Sequence, residues 1–241
     1  MQISLFVAIR FIRIIRIFVS YMQIDFIFSI IILIFSVVIH EVSHGWAAYS
    51  LGDNTAKYAG RLNLNPFNHL EWFGSFILPV MSYFLGGFII GWAKPVPFNP
   101  YNLRNQKWGE AIVAVAGPAS NICLALFFGL LIRFGVLSQF GQAFVYIAST
   151  IVFINLILAT FNLVPIPPLD GSKILFSLNP DRVWVGQPSA LTDGLANVFN
   201  KTQLFFERNS MFILIFFIFF LWQFIVPLVS LEFSLITGML A

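Results

Sequence analysis

Long uncharged runs separated by short polar segments set the pattern of this chain. Residues 26–39 are apolar, lead into His40 and Glu41, and give way to further apolar residues as far as Leu51. Residues 72–93 and 111–132 carry no charge, nor does 134–169, where Gly135 and Gly141 predict a turn. Residues 210–231 form the last run and the most apolar. About 20 apolar helical residues cross a hydrocarbon core. These runs therefore predict an all-α polytopic membrane protein, a helical bundle of four to six transmembrane segments. The chain divides into an N-terminal segment 1–22, a membrane core 23–180, a polar cytoplasmic loop 181–209 and a C-terminal transmembrane helix 210–241.

The first segment has its own pattern. Arg10, Arg13 and Arg16 recur every third residue among Phe, Ile and Val. On a helix this makes a basic stripe beside an apolar face, which suits a helix lying in the membrane interface. The same arginines interrupt any apolar core of a cleavable signal, and no small-residue cleavage site follows. In the 52–70 loop, Arg61-Leu62-Asn63-Leu64-Asn65 alternates polar and apolar, as a short strand does. The proline-rich segment 94–100 can supply only an edge strand or an extended loop. Together they predict a small interfacial β-hairpin between 61–65 and 95–99. Trp46, Trp72, Trp92 and Trp108 fall near run ends and fit an interfacial belt.

Composition excludes several classes. Hydrophobic residues make up 59% and charged ones only 10%, where soluble domains carry about 25% charged. Thirty phenylalanines cannot be hidden in a water-soluble globule of this size. A soluble enzyme, a disordered chain and a nucleic-acid-binding module are ruled out; the partners to expect are the lipid bilayer and other membrane helices. The net charge of +3 fits loop Lys and Arg following membrane topology. The single cysteine, Cys123, sits in an apolar run and precludes an intramolecular disulfide.

The scarce polar residues carry the chemistry. His40-Glu41-Val42-Ser43-His44 is an HExxH sequence. On a helix, positions i and i+4 share a face, so both imidazoles can bind one zinc ion with Glu41 beside them as a base. A carboxylate in a membrane helix is costly, which marks Glu41 as functional. A catalytic zinc usually takes three protein ligands, and His69, Asp53, Glu71, Glu110 and Asp170 are the candidates for the third. Asp170 ends the segment Asn162-Leu-Val-Pro-Ile-Pro-Pro-Leu-Asp170-Gly171, whose prolines break a helix just before it. Unwound backbone at membrane depth is tolerated where it lines a cavity, though Asp-Gly is also an ordinary turn pair.

With HExxH on a membrane helix and this Asn-x-x-Pro-x-Pro-Pro-Leu-Asp-Gly sequence downstream, the chain resembles the site-2 protease family of intramembrane zinc metalloproteases. Gly60-Arg-Leu-Asn-Leu-Asn-Pro66, Gly91-Trp-Ala-Lys-Pro-Val-Pro97 and Ala116-Gly-Pro-Ala-Ser-Asn121 add to the likeness. It is similar above all to short members with neither PDZ nor CBS domains. The resemblance implies that the 23–180 core is the metalloprotease unit. It implies His40, His44 and Asp170 as ligands of one zinc ion and Glu41 as general base. It implies Asn162 at the active site, holding substrate or oxyanion. The implied reaction is hydrolysis of a peptide bond in or beside a transmembrane helix of a protein substrate. Residues 61–65 could then present an edge that holds the substrate extended, or simply form a structural hairpin.

One zinc ion shared by His40, His44 and Asp170 constrains topology. The helix carrying HExxH and the run ending near residue 164 must end on the same side of the membrane, and so run parallel. One of the two intervening runs then fails to cross. Pro79 and Gly86-Gly87 point to 72–93 as a re-entrant hairpin. Nine basic residues then lie on the active-site side against four on the other, which places the active site nearer the cytoplasmic face of a prokaryotic inner or plasma membrane. The competing readings are a metal-ion transporter and a catalytically silent protein that binds membrane helices. A transporter would carry ionisable residues along a pathway, whereas here they concentrate in one HExxH and one Asp. An intact Glu41 argues against the silent protein. Asn121, an amide inside an apolar run, is expected to tie helices together or to bond the active-site helix.

Overall fold

The computed structural model describes residues 28–86, 93–179 and 190–239. The predicted basic interfacial segment at 1–22 lies outside the described residues, as does Trp92. In chain order the helices are α1 (Phe28–Ser50), α2 (Thr55–Tyr58), α3 (Leu78–Gly86), α4 (Gly109–Arg133), α5 (Gln142–Asn162), α6 (Asp170–Ser177), α7 (Ala190–Arg208) and α8 (Ser210–Thr237). Helices α1, α4 and α5 are each long and apolar enough to cross a membrane. Helix α8 runs for 28 residues through the most apolar part of the sequence. The polar connection 181–209 is helical over its second part, as α7.

Helix α4 is the centre of the bundle because its buried face is built of small residues. Ala114, Gly117, Pro118, Asn121, Ala125 and Gly129 are all buried. In lipid, where apolar contact between helices gains little over apolar contact with acyl chains, close backbone approach and polar contacts do most of the work. A Cβ on Gly129 would overlap the Ile236 side chain of α8. One core forms where Ala125 and Ile132 of α4 meet Ala148, Val152 and Leu156 of α5 and Phe217, Ile225, Val229 and Phe233 of α8. A smaller one joins Ala48 of α1, Leu103 of the following loop and Val113 of α4. The turn between α4 and α5 falls where the two glycines predict it. Gly141 has φ 104°, a conformation that side chains with a Cβ rarely adopt.

Among the described residues no strand forms, which corrects the expected β-hairpin between 61–65 and 95–99. The reason is local. The polar residues whose spacing mimics a strand use their side chains on nearby backbone instead. Asn63 Oδ1 accepts from the Asn65 amide (3.0 Å), and Asn65 Oδ1 accepts from the Phe67 amide (3.2 Å). Pro95 and Pro97 lack the amide hydrogens that a ladder needs. The two segments are nevertheless joined, through the Arg61 guanidinium, which donates to the carbonyl of Lys94 at 2.7 Å.

The run 72–93 begins with a π-helical turn at Phe73–Ile77 and continues as the nine-residue α3. The amide of Lys94 donates to the carbonyl of His69 at 2.8 Å. The chain that leaves at residue 70 therefore returns to the same place by residue 93.

Candidate metal centre

Helix α1 places His40 and His44 one turn apart on its buried face, each less than a tenth exposed. Asp170 comes to them through the turn after α5. The amides of Val164, Ile166 and Leu169 bond back within Phe161–Ile166, and α6 then starts at Asp170. Gly171 makes this approach possible: a Cβ there would overlap the carbonyl oxygens of Leu163 and Val164 at the end of α5. Asp170 Oδ2 lies 3.1 Å from His40 Nε2 and 3.1 Å from His44 Nε2. Its other oxygen, Oδ1, pairs with Lys173 Nζ at 3.3 Å.

The chemistry of these atoms fits a cation. His44 Nδ1 lies 2.6 Å from the carbonyl of Val113. A carbonyl only accepts, so Nδ1 carries a hydrogen, and in the neutral ring the Nε2 lone pair turns inward. His40 Nδ1 meets Asn121 Oδ1 at 2.5 Å, with the same consequence for its Nε2. Two imidazole lone pairs and a carboxylate oxygen thus converge, with ligand atoms within 4.8 Å of one another. Three acceptors this close repel unless a proton or a metal cation lies among them. Two nitrogens and an oxygen are a donor set that zinc accepts, with room for a fourth position. Gly117 of α4 faces them. A Cβ there would come within 2.5 Å of His40 Nε2 and would also overlap His44 Nε2.

Glu41 sits on the adjoining face of α1, and its Oε2 accepts from the amide of Val96 at 2.9 Å. The extended segment that carries Val96 lies across α1 because Gly45 leaves the space. A Cβ at Gly45 would come within 2.7 Å of the Leu62 side chain and 2.8 Å of Val96.

The other candidates for a third ligand have other partners. Asp53 is fully buried and accepts from the Thr55 amide and hydroxyl, the Asn99 amide (2.7 Å) and the Asn102 side chain (2.9 Å). It ties the end of α1 to the loop before α4. His69 is also fully buried, and its Nε2 lies 2.8 Å from the Asn63 carbonyl. Burial, reinforced by the nearby Arg61 charge and opposed by the Asn63 carbonyl and the Glu41 charge, holds His69 below its ordinary value. Glu71 is exposed and Glu110 starts α4; neither joins the group around His40. Asn162 is the last residue of α5, half-buried, with its amide donating to the Leu158 carbonyl at 2.9 Å.

Several contributors had no role assigned from sequence. Gly117 stood in a quoted motif, and its use as the open wall of the site is visible only once α4 packs on α1. The Val113 carbonyl and the Val96 amide are backbone groups, which no residue pattern announces. Asn155 and Ser36 bond each other inside the bundle at 2.9 Å; the available signal was an amide inside an uncharged run.

The family model described as Peptidase family M50 matches residues 28–186. Three similar proteins carry the name "Putative zinc metalloprotease". YwhC of Bacillus subtilis (strain 168) is 38% identical over 162 residues, which are 65% of this chain and 71% of that protein. MJ0611 of Methanocaldococcus jannaschii is 31% identical over 184 residues, 73% of this chain and 90% of that one. Rip2 of Mycolicibacterium smegmatis is 34% identical over 151 residues, 61% and 55%. No solved structure matches the chain significantly. With His40, His44 and Asp170 grouped where they could hold a metal ion and with its membrane helices, the chain belongs to peptidase family M50, the site-2 type zinc metalloproteases.

Proposed function

We propose that His40, His44 and Asp170 hold the zinc ion of this site-2 type protease and that Glu41 is its general base. The observation that carries this reading is the convergence of His40 Nε2, His44 Nε2 and Asp170 Oδ2, with Glu41 beside them on α1. When bound, zinc polarises a scissile carbonyl and makes water a nucleophile near neutral pH. Glu41 takes the proton from the attacking water and passes it to the leaving amine. The Val96 amide fixes where the Glu41 carboxylate points. Asn162 helps hold the substrate carbonyl or the oxyanion. Its amide nitrogen has two hydrogens, one of which goes to the Leu158 carbonyl.

The substrate on this reading is a transmembrane helix of another protein, locally unwound so that its carbonyls are exposed. Residues 72–93 form a re-entrant hairpin rather than a crossing, a reading supported by the Lys94 to His69 hydrogen bond that joins its two ends. Helices α1 and α5 then run parallel, and α8 serves as a further crossing beyond the three apolar helices. The active site faces the cytoplasm of a prokaryotic plasma membrane, supported by nine basic residues on that side against four. The core unit is 23–180, with 1–22 on the membrane surface, 181–209 in the cytoplasm and 210–241 as C-terminal anchor.

The test compares the purified zinc-loaded chain with Glu41→Gln on a panel of membrane-helix substrates. Cleavage by the parent and not by the variant supports the reading. Zinc flux into liposomes with no cleavage would support a transporter instead.

A further inference from the structure

A buried amide relay runs through the bundle to the back of His40, and its polarity is fixed by backbone. Asn155 of α5 and Asn121 of α4 are both fully buried. Asn155 Nδ2 lies 2.9 Å from the Ile151 carbonyl and 2.9 Å from Ser36 Oγ of α1. A carbonyl can only accept, so the nitrogen of Asn155 faces Ile151 and its oxygen faces Asn121. Asn121 must answer with its own nitrogen, and Nδ2 donates to Asn155 Oδ1 at 2.7 Å. The Ser36 carbonyl, 3.4 Å from the same Nδ2, favours the same orientation. That leaves Asn121 Oδ1 turned to His40 Nδ1, at 2.5 Å. An oxygen there admits one neutral tautomer of His40, with hydrogen on Nδ1 and the lone pair on Nε2.

We propose that Asn121, held in orientation by Asn155, is a positioning residue that sets the His40 tautomer and ring plane for zinc. The proposal rests on His40 being a zinc ligand. Three helices contribute to the relay, and each member is an amide or hydroxyl kept where hydrocarbon would otherwise be cheaper. A structural tie between helices needs hydrogen bonds but not a particular direction. Here the direction is set, and it ends on a ligand. His44 has the same hydrogen-bonding arrangement from the Val113 carbonyl, which no side-chain substitution removes. It is therefore a built-in control.

The test measures zinc affinity by chelator competition and the ring N–H resonances of ¹⁵N-histidine protein, which has only three histidines. Asn121→Leu is expected to weaken zinc binding on the order of 10–100-fold, as loss of a ligand's outer hydrogen-bond partner does. It should also remove the hydrogen-bonded His40 Nδ1–H signal and leave that of His44 unchanged. Asn121→Asp keeps an oxygen for His40 and should hold zinc within a few-fold of the parent, although it loses the Asn155 contact and stability with it. Asn155→Ala, further from the metal, frees the Asn121 amide to turn over and should weaken zinc binding by a smaller factor; it carries the test if Asn121→Leu does not fold. The proposal is overturned if the foldable variants lose thermal stability while zinc affinity and the His40 signal stay as in the parent. His40→Ala separates the two levels. If that variant retains full zinc affinity, the ligand assignment beneath the proposal is wrong. If it loses zinc while the Asn121 and Asn155 variants do not, only the relay's role fails.

Discussion

The backbone amide of Val96 donates to the carboxylate of Glu41 at 2.9 Å. Fifty-five residues separate the two, and the bond joins the proposed base to the strap that closes the 70–93 excursion. The same strap is held by Arg61 and packs through the Val96 side chain on Gly45. The turn of α1 that carries Glu41 and the strap are thus joined, and changes in either should be felt in the other.

Glu41→Gln keeps the shape of the side chain and an oxygen for the Val96 amide. It removes only the ability to take a proton. Cleavage of a membrane-helix substrate should fall by about 100-fold or more, while zinc content by metal analysis stays at the parental value.

Gly117→Ala adds one methyl group to a helix, where alanine is the better helix former. The methyl enters the space between His40 Nε2 and His44 Nε2. The variant should fold and lose most of its bound zinc, which metal analysis with far-UV circular dichroism would check. Parental zinc content would contradict the geometry.

Arg61 is buried and donates to the Lys94 carbonyl. Arg61→Ala should cost about 1.5–3 kcal/mol, the usual range for a hydrogen bond from a charged group, read from unfolding in detergent. Arg61→Lys should recover little of it, because an ammonium lacks the planar fork of the guanidinium.

Asp53 gives the fold an acid limit. Burial alone would raise its carboxyl, but the Thr55 hydroxyl, the Asn102 side chain and the amides of Asn99 and Thr55 outweigh that and hold it below the ordinary value. A folded value below the unfolded one contributes stability above about pH 4 and loses it as pH falls through the folded value. Asp53→Asn should lower stability at neutral pH and flatten its decline in acid. Thermal unfolding of both proteins across that pH range would show it.

Topology is open to labelling once Cys123 is replaced. Single cysteines at residues 57 and 104 should react with a membrane-impermeant reagent from the same face, because the chain between returns to its starting point at His69 and Lys94. Reaction from opposite faces would mean that 72–93 crosses the bilayer.

What was legible in the sequence follows the range of the interactions. Membrane helices announce themselves because each must satisfy its own backbone and present about 20 apolar residues to lipid. The pairing of His40 with His44 is a property of one helix turn. The strand reading of 61–65 failed for a local reason too: Asn63 and Asn65 alternate with leucines, but their side chains close turns on their own backbone.

The sequence by itself determined a membrane bundle, the HExxH helix and, through resemblance, Asp170 as its partner. The tertiary structure decided what stands around them. Asp170 reaches His40 across 130 residues because Gly171 lets α6 start against the end of α5. Gly117 has no Cβ to collide with His40 and His44, and Asn121 is aimed at His40 by an amide on a third helix. Spacing along a chain reports contacts within one helix. Which faces of separate helices meet, and which way a buried amide points, depends on packing in three dimensions.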